Sequence, residues 1–209
     1  LTIFASLIFC NVVYAERIFN SSLTGLSFSL SDEWKLSGKV STDKFGDNLS
    51  DENKEYIKSI IKKTKVRSLE VLYNEKFVPD IITITMLDMP RNFTITKSNV
   101  KRNCKEIMRV NERNIGKKGT LYDCKYIRNK VSKREGALYI SYKDDISQEE
   151  GEVRVNQIIF IINSKAIYFA TSCKDYCKEV TDSIYAISST LIKWKNSYPS
   201  SLLAYCYAT

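Results

Sequence analysis

The chain has 209 residues, with 32 Lys and Arg against 24 Asp and Glu for a net charge of +8, and it contains no histidine. Without histidine, Ser-His-Asp and Cys-His nucleophilic sites, the HExxH zinc site and any histidine general base are excluded. A hydrophobic fraction of 44% with seven Gly and three Pro is that of an ordinary globular chain. Its basic residues are scattered, without an arginine run or interleaved aromatics, which argues against specific nucleic-acid binding.

Residues Leu1 to Ala15 (LTIFASLIFCNVVYA) carry no charge, and the first charged residue is Glu16. An apolar core closed by Val13-Tyr14-Ala15 predicts a cleaved secretory signal, too short to span a bilayer, which takes ~20 apolar residues. The basic start of such a signal is missing, so the first few residues are expected to be absent from the sequence. Cys10 follows Leu7-Ile8-Phe9 much as in a lipoprotein cleavage site, but that site wants a small residue where Phe9 stands. Residues 16–198 are long enough for one domain with a good core, and residues 199–209 form a C-terminal tail.

Leu26 to Leu30 alternates apolar and polar residues and predicts a half-buried strand, and Trp34 to Leu36 resumes an extended stretch after the Ser31-Asp32 turn. Ser41 to Asn53 reads as a loop ending at an N-cap, Ser50 or Asp51. Tyr56, Ile57, Ile60, Ile61 and Thr64 then share one helical face, with Lys58, Lys62, Lys63 and Lys65 on the rest. That basic side is read as solvated, although it also allows peripheral membrane contact. Ser68 to Tyr73 is ambiguous between strand and helix end. The β-branched run Asp80 to Leu87 is a strand stopped by Pro90. Thr96 or Ser98 caps a second helix reaching about Ile115, with Val100, Cys104, Ile107, Met108 and Asn111 inward and Gly116 as its stop.

Leu121 to Arg128 and Gly136 to Lys143 predict an antiparallel pair joined by a charged turn at Lys130 to Glu135. Asp144 to Glu152 is an acidic loop without EF-hand spacing. Val153 to Asn163 and Ala166 to Ser172 flank Asn163-Ser164-Lys165, a hairpin signal. A last helix is expected over Tyr176 to Trp194, with Val180, Ile184, Ile187, Leu191 and Trp194 as its apolar stripe. Adjacent strands joined by short turns imply an α+β fold, an antiparallel β-sheet packed between helices.

Five cysteines follow the signal: Cys104, Cys124, Cys173, Cys177 and Cys206. In an oxidising compartment four pair and one is left over. The preferred pairing is Cys104 with Cys124 and Cys173 with Cys177, leaving Cys206 as the odd thiol. Cys173 and Cys177 would be strained on one helix, so cross-pairing with Cys104 or Cys124 stays open. CKDYC is not CxxC and has no second pair at zinc spacing, so a redox or metal role is the weaker reading.

The opening GLSFSLSDEWKL (Gly25 to Leu36) resembles the start of the PsbP-like fold. The hairpin IIFIINSKAIYFATSC, followed by a helix ending Leu191-Ile192-Lys193-Trp194, is similar to that fold's C-terminal part. The resemblance spans most of residues 23 to 195 as a pattern of elements. It implies an α/β/α sandwich and a family whose members act mostly as binding or assembly factors rather than enzymes. The long charged inserts and the cysteines depart from that pattern.

These readings lead to a secreted or periplasmic binding or accessory protein that is not an enzyme and has a protein partner. No catalytic, cofactor or metal residues are assigned. The alternatives are a secreted effector or surface protein, which the sequons at Asn20, Asn48 and Asn92 would serve in a eukaryote, and an enzyme using Cys or carboxylate chemistry. The dense carboxylates are Asp144, Asp145, Glu149 and Glu150.

Overall fold

Period-2 and period-3.6 segments alternate along the chain, and in the computed structural model they become strands and helices in turn. The structure describes residues 16–41, 49–64, 69–74, 81–88, 93–115, 119–128, 136–144, 153–173 and 178–193. The elements are β1 (Glu16–Ser21), β2 (Leu26–Ser31), β3 (Trp34–Val40), α1 (Asp51–Thr64), β4 (Leu69–Asn74), β5 (Ile81–Asp88) and α2 (Val100–Ile115). They continue with β6 (Leu121–Ile127), β7 (Ala137–Asp144), β8 (Val153–Ile162), β9 (Lys165–Cys173), α3 (Lys178–Thr190) and β10 (Ile192–Lys193). Seven strands form one antiparallel sheet in the order β3-β4-β5-β9-β8-β7-β6, and a three-stranded sheet has the order β1-β2-β10. This is an α+β fold.

Strand register decides which side chains share a face. Lys39, Glu70, Ile84, Phe169, Ile158, Tyr139 and Lys125 are successive cross-strand partners from one edge of the large sheet to the other. To one side of that row lie Leu72 and Ile82, and to the other Ile167, Phe160 and Ala137. They bury against Phe28 and Leu30 of β2, Trp34 of β3 and Ile184, Ile187 and Leu191 of the α3 segment. Phe169 meets the rings of Phe28 and Phe160 edge-on, at 5.3 and 5.9 Å. Each such side chain contributes roughly 1.5–3 kcal/mol when fully buried. The opposite face carries Val71, Tyr73 and Ile81 against Ile57 and Ile61 of α1. On its other half Leu138, Ile140, Ile159 and Ile161 pack against Cys104 and Met108 of α2. The large sheet therefore lies between α1 and α2 on one side, and α3 together with the small sheet on the other.

Local chemistry sets the element ends. Ser50 Oγ accepts the Asn53 amide at 3.2 Å, as an N-cap does. The expected caps of α2, Thr96 and Ser98, give way to Asn99, whose carbonyl accepts the Asn103 amide at 3.0 Å. Its side chain holds the approach by accepting the Thr96 amide at 2.8 Å. Asn163 and Ser164 have φ of 51° and 60°, the two left-handed positions of a type I′ hairpin turn.

The structure departs from the sequence reading in three further places. β1 is a strand that the sequence pattern does not announce: Phe19 is buried, but Ile18 beside it points to solvent at 67% exposure. The small sheet was likewise not anticipated. The last helix stops at Thr190 rather than Trp194, and Ile192-Lys193 pair with Ser27 and Leu26 of β2. The hydroxyls of Ser188, Ser189 and Thr190 turn back to the carbonyls of Tyr185 and Ala186. Such bonds compete with helical ones, and the Thr190 hydroxyl also accepts the Ser29 amide at 2.9 Å, handing the chain to the sheet. The residues 1–15, 130–135, 145–152, 177 and 194–209 lie outside the described residues, as do Pro90 and Gly116.

Candidate functional site

On the face beneath α3 the large sheet changes character along its strands. Toward the β8–β9 hairpin the next row, Met86, Ile167, Phe160, Ala137 and Ile127, is wholly apolar. Two residues beyond the Tyr139 row, the partners are Asp123, Ser141, Asn156 and Thr171, one from each of β6, β7, β8 and β9. The next row is Lys143, Arg154 and Cys173. Ser141, Asn156 and Thr171 are buried at 3%, 1% and 4% exposure, so an interior face here is built of polar groups.

Most of these groups are matched. The Tyr139 hydroxyl donates to Asn156 Oδ1 at 2.9 Å, and Asn156 Nδ2 approaches Cys173 Sγ at 3.6 Å. Thr171 Oγ1 is buried with no hydrogen-bond partner among the described residues.

Over this row, at the sheet's β6 edge, sits a cation on aromatic rings. The rings of Tyr139 and Tyr185 stack at 5.0 Å and 28°. Lys125 Nζ lies 5.0 Å from one centroid and 5.1 Å from the other, and it pairs with Asp123 Oδ2 at 3.0 Å. Alongside, the Arg154 guanidinium lies 4.4 Å from the centroid of Tyr122, a residue the bulge between Leu121 and Asp123 sets apart from the ladder. Each cation–π contact of this kind is worth roughly 0.5–1 kcal/mol when exposed.

Electrostatics define what the cluster can do. The hydrogen bond with Tyr185, and then that with Asp123, raise the Lys125 pKa above its ordinary value. Burial, followed by the nearby Tyr185, raises that of Tyr139. Lys125 therefore stays an ammonium and Tyr139 a phenol at neutral pH. An amine nucleophile or phenolate base is not available here, while a fixed cation and a row of hydroxyl and amide groups are.

The residues singled out from sequence lie elsewhere. Cys104 and Cys124 form a disulfide that ties α2 to β6 on the other face. Cys173 is disulfide-bonded as well; Cys177, Cys206 and Cys10 lie outside the described residues. Asp144 ends β7, and Asp145, Glu149 and Glu150 are outside the described residues. No cluster of three or more metal-ligating side chains occurs among the described residues, and no helix there is long and apolar enough to cross a membrane. Sequence reading passed over Lys125, Tyr139, Asn156, Thr171 and Tyr185. A signal was present: Tyr139 and Ser141 share the parity of Ala137, and Arg154 and Asn156 that of Ile158, so polar residues continue an apolar stripe.

No family model matches the chain, and no curated protein is significantly similar to it in sequence. Among solved structures it is similar to the solution structure of cyanobacterial PsbP (CyanoP) from Synechocystis sp. PCC 6803. The identity is 10%, the match covers 86% of this chain and 92% of that one, and the TM-score is 0.49. It is also similar to a crystal structure from Bacteroides thetaiotaomicron VPI-5482, at 12% identity and a TM-score of 0.40. That match covers 86% of this chain and 48% of the other, so the chain spans about half the length of that protein. A third similarity is to the Ran-binding protein Mog1p of Saccharomyces cerevisiae, at 6% identity, 88% and 98% coverage and a TM-score of 0.44. These are likenesses of fold, of the PsbP-like kind the sequence pattern resembles.

Proposed function

We propose that this is an exported, non-enzymatic binding or accessory protein, with residues 1–15 as its signal, residues 16–198 as its domain and 199–209 as a tail. Its protein partner docks on the ledge formed by Tyr122, Lys125, Arg154 and Tyr185. The observation that carries this reading is Lys125, whose side chain is 49% exposed yet held over two stacked tyrosines. A lysine at a sheet edge is ordinarily free to wander. Fixing it beforehand lowers the ordering cost of association, and Tyr and Arg are the residues on which interface energy concentrates. The lack of histidine and the protonated states of Lys125 and Tyr139 favour binding over catalysis.

The test is partner capture from envelope extract with the wild-type chain, Lys125→Glu and Tyr122→Ala, each checked for native circular dichroism. A partner held by wild type and reduced about tenfold or more by either variant fits hot-spot truncation of 1.4 kcal/mol or more. Equal recovery by all three chains sinks the ledge as the docking site. Intact mass of the exported protein tests the signal: the mature chain is expected to begin at Glu16.

A further inference from the structure

On the face of the large sheet opposite the ledge, α2 presents a line of positive charge. Lys97, in the turn before the helix, and Lys101, Lys105, Arg109 and Arg113 on it recur every four residues, all exposed; the helix has 16 residues and is about 24 Å long. With Arg102, residues 97–113 hold six basic and two acidic residues, half the chain's net charge of +8. Of the two, Glu106 pairs with Arg109, while Lys101, Arg102, Lys105 and Arg113 make no ion pair among the described residues.

This arrangement works against the helix that carries it. Like charges at i, i+4 repel, and Lys101 and Arg102 stand in a first turn that contains no acid, beside the positive end of the helix dipole. The strain is borne by fixed anchors: the Cys104–Cys124 disulfide and buried Asn103, which donates to the Thr94 carbonyl at 2.9 Å. Alongside, on the same face of the sheet, α1 repeats the spacing with Lys54, Lys58 and Lys62, although Lys54 and Lys58 pair with Asp51 and Glu55.

We propose that the α2 face of the protein docks on an anionic bilayer surface through the stripe from Lys97 to Arg113. Charge complementarity points to a polyanion, and the shape narrows it. Two helices covering one sheet face make a broad basic layer rather than a groove. The stripe includes no aromatic side chain on which a base would stack. Among the described side chains of this helix Val110 alone is an exposed large hydrophobic, at 41%, so adsorption is electrostatic rather than insertive.

The experiment is co-sedimentation of the full chain with vesicles of phosphatidylcholine carrying about one-third phosphatidylglycerol, against pure phosphatidylcholine. Lys101→Gln/Lys105→Gln is compared with Lys39→Gln/Lys165→Gln, which removes the same charge from strands of the large sheet. Binding is expected only to the anionic vesicles, fading in about 0.5 M salt as screening tightens. The α2 variant should bind roughly 30-fold more weakly, about fivefold per lysine, and the control within about twofold. Equal weakening by both pairs would reduce the effect to bulk charge and overturn the proposal. So would equal binding to neutral vesicles, no binding to either kind, or tighter binding of a duplex oligonucleotide or of polyglutamate than of the anionic vesicles.

Discussion

Glu70 Oε1 accepts both the Ser22 hydroxyl at 2.6 Å and the Leu23 amide at 3.0 Å. A wholly buried carboxylate of β4 thus holds the turn between β1 and β2, 48 residues earlier in the chain, and joins the small sheet to the large one. Gly25, with φ of 68°, closes that turn by donating its amide to the Ser21 carbonyl.

Glu70→Ala removes two charge-assisted hydrogen bonds, and a loss of about 2–4 kcal/mol is expected by denaturant unfolding. Glu70→Gln keeps the acceptor oxygen and should lose less than about half of that. Hydrogen exchange at the Leu23 amide should quicken in the alanine variant. A wild-type midpoint for Glu70→Ala would show that the turn stands without the carboxylate.

The Cys104–Cys124 disulfide closes a 20-residue separation. By chain entropy this stabilises the fold by about 3 kcal/mol. The double variant Cys104→Ala/Cys124→Ala is expected to lose about that much. Reducing agent should bring the wild-type midpoint down at least as far as that of the variant, because the disulfide at Cys173 is reduced as well.

At the β8–β9 turn a serine occupies a left-handed position, φ 60°. Ser164→Gly should stabilise by about 0.5–1 kcal/mol, because glycine takes that conformation freely and Asn-Gly suits a type I′ turn. Ser164→Val should destabilise by about 1 kcal/mol or more. Opposite signs in thermal unfolding are the outcome to look for. Destabilisation by glycine would exclude this turn geometry in solution.

Alkaline pH should unfold the protein earlier than its charge alone predicts. Burial raises the pKa of Tyr168 and, with the neighbouring Tyr185, that of Tyr139, while Tyr185 and Asp123 raise that of Lys125. In each case the native state holds the proton more tightly than the unfolded chain. The stabilisation is complete below the ordinary values near about 10 and is lost as pH rises through the raised ones. The thermal midpoint should stay level to about pH 9 and fall steeply above it. Tyr168→Phe, which has no proton to lose there, should make the fall shallower. An unchanged slope in that variant would remove Tyr168 from the account.

Much of the architecture was legible in order along the chain. The alternation of Leu26 to Leu30, the β-branched run at Ile81 to Leu87 and the hairpin at Asn163-Ser164 each carry their own signal within a few residues. So do the helical stripes holding Ile57 and Ile61, and Cys104 and Met108. β1 and β10 were not legible, since Glu16 to Ser21 and Ile192-Lys193 are strands only because β2 offers them an edge. The ledge was not legible either. Lys125, Tyr139 and Tyr185 lie far apart in sequence and look like three unrelated surface residues.

The sequence by itself determined the periodicities, the turn chemistry, the charge excess and the exclusion of histidine chemistry, because each depends on composition or on neighbours a few positions apart. The tertiary structure alone decided strand order, the Lys125–Tyr139–Tyr185 stack, the buried Ser141-to-Thr171 row and the pairing of Glu70 with Ser22. Those contacts depend on cross-strand register, in which a slip of one residue would move every side chain to the other face. Register follows from which apolar surfaces the whole chain can bury together.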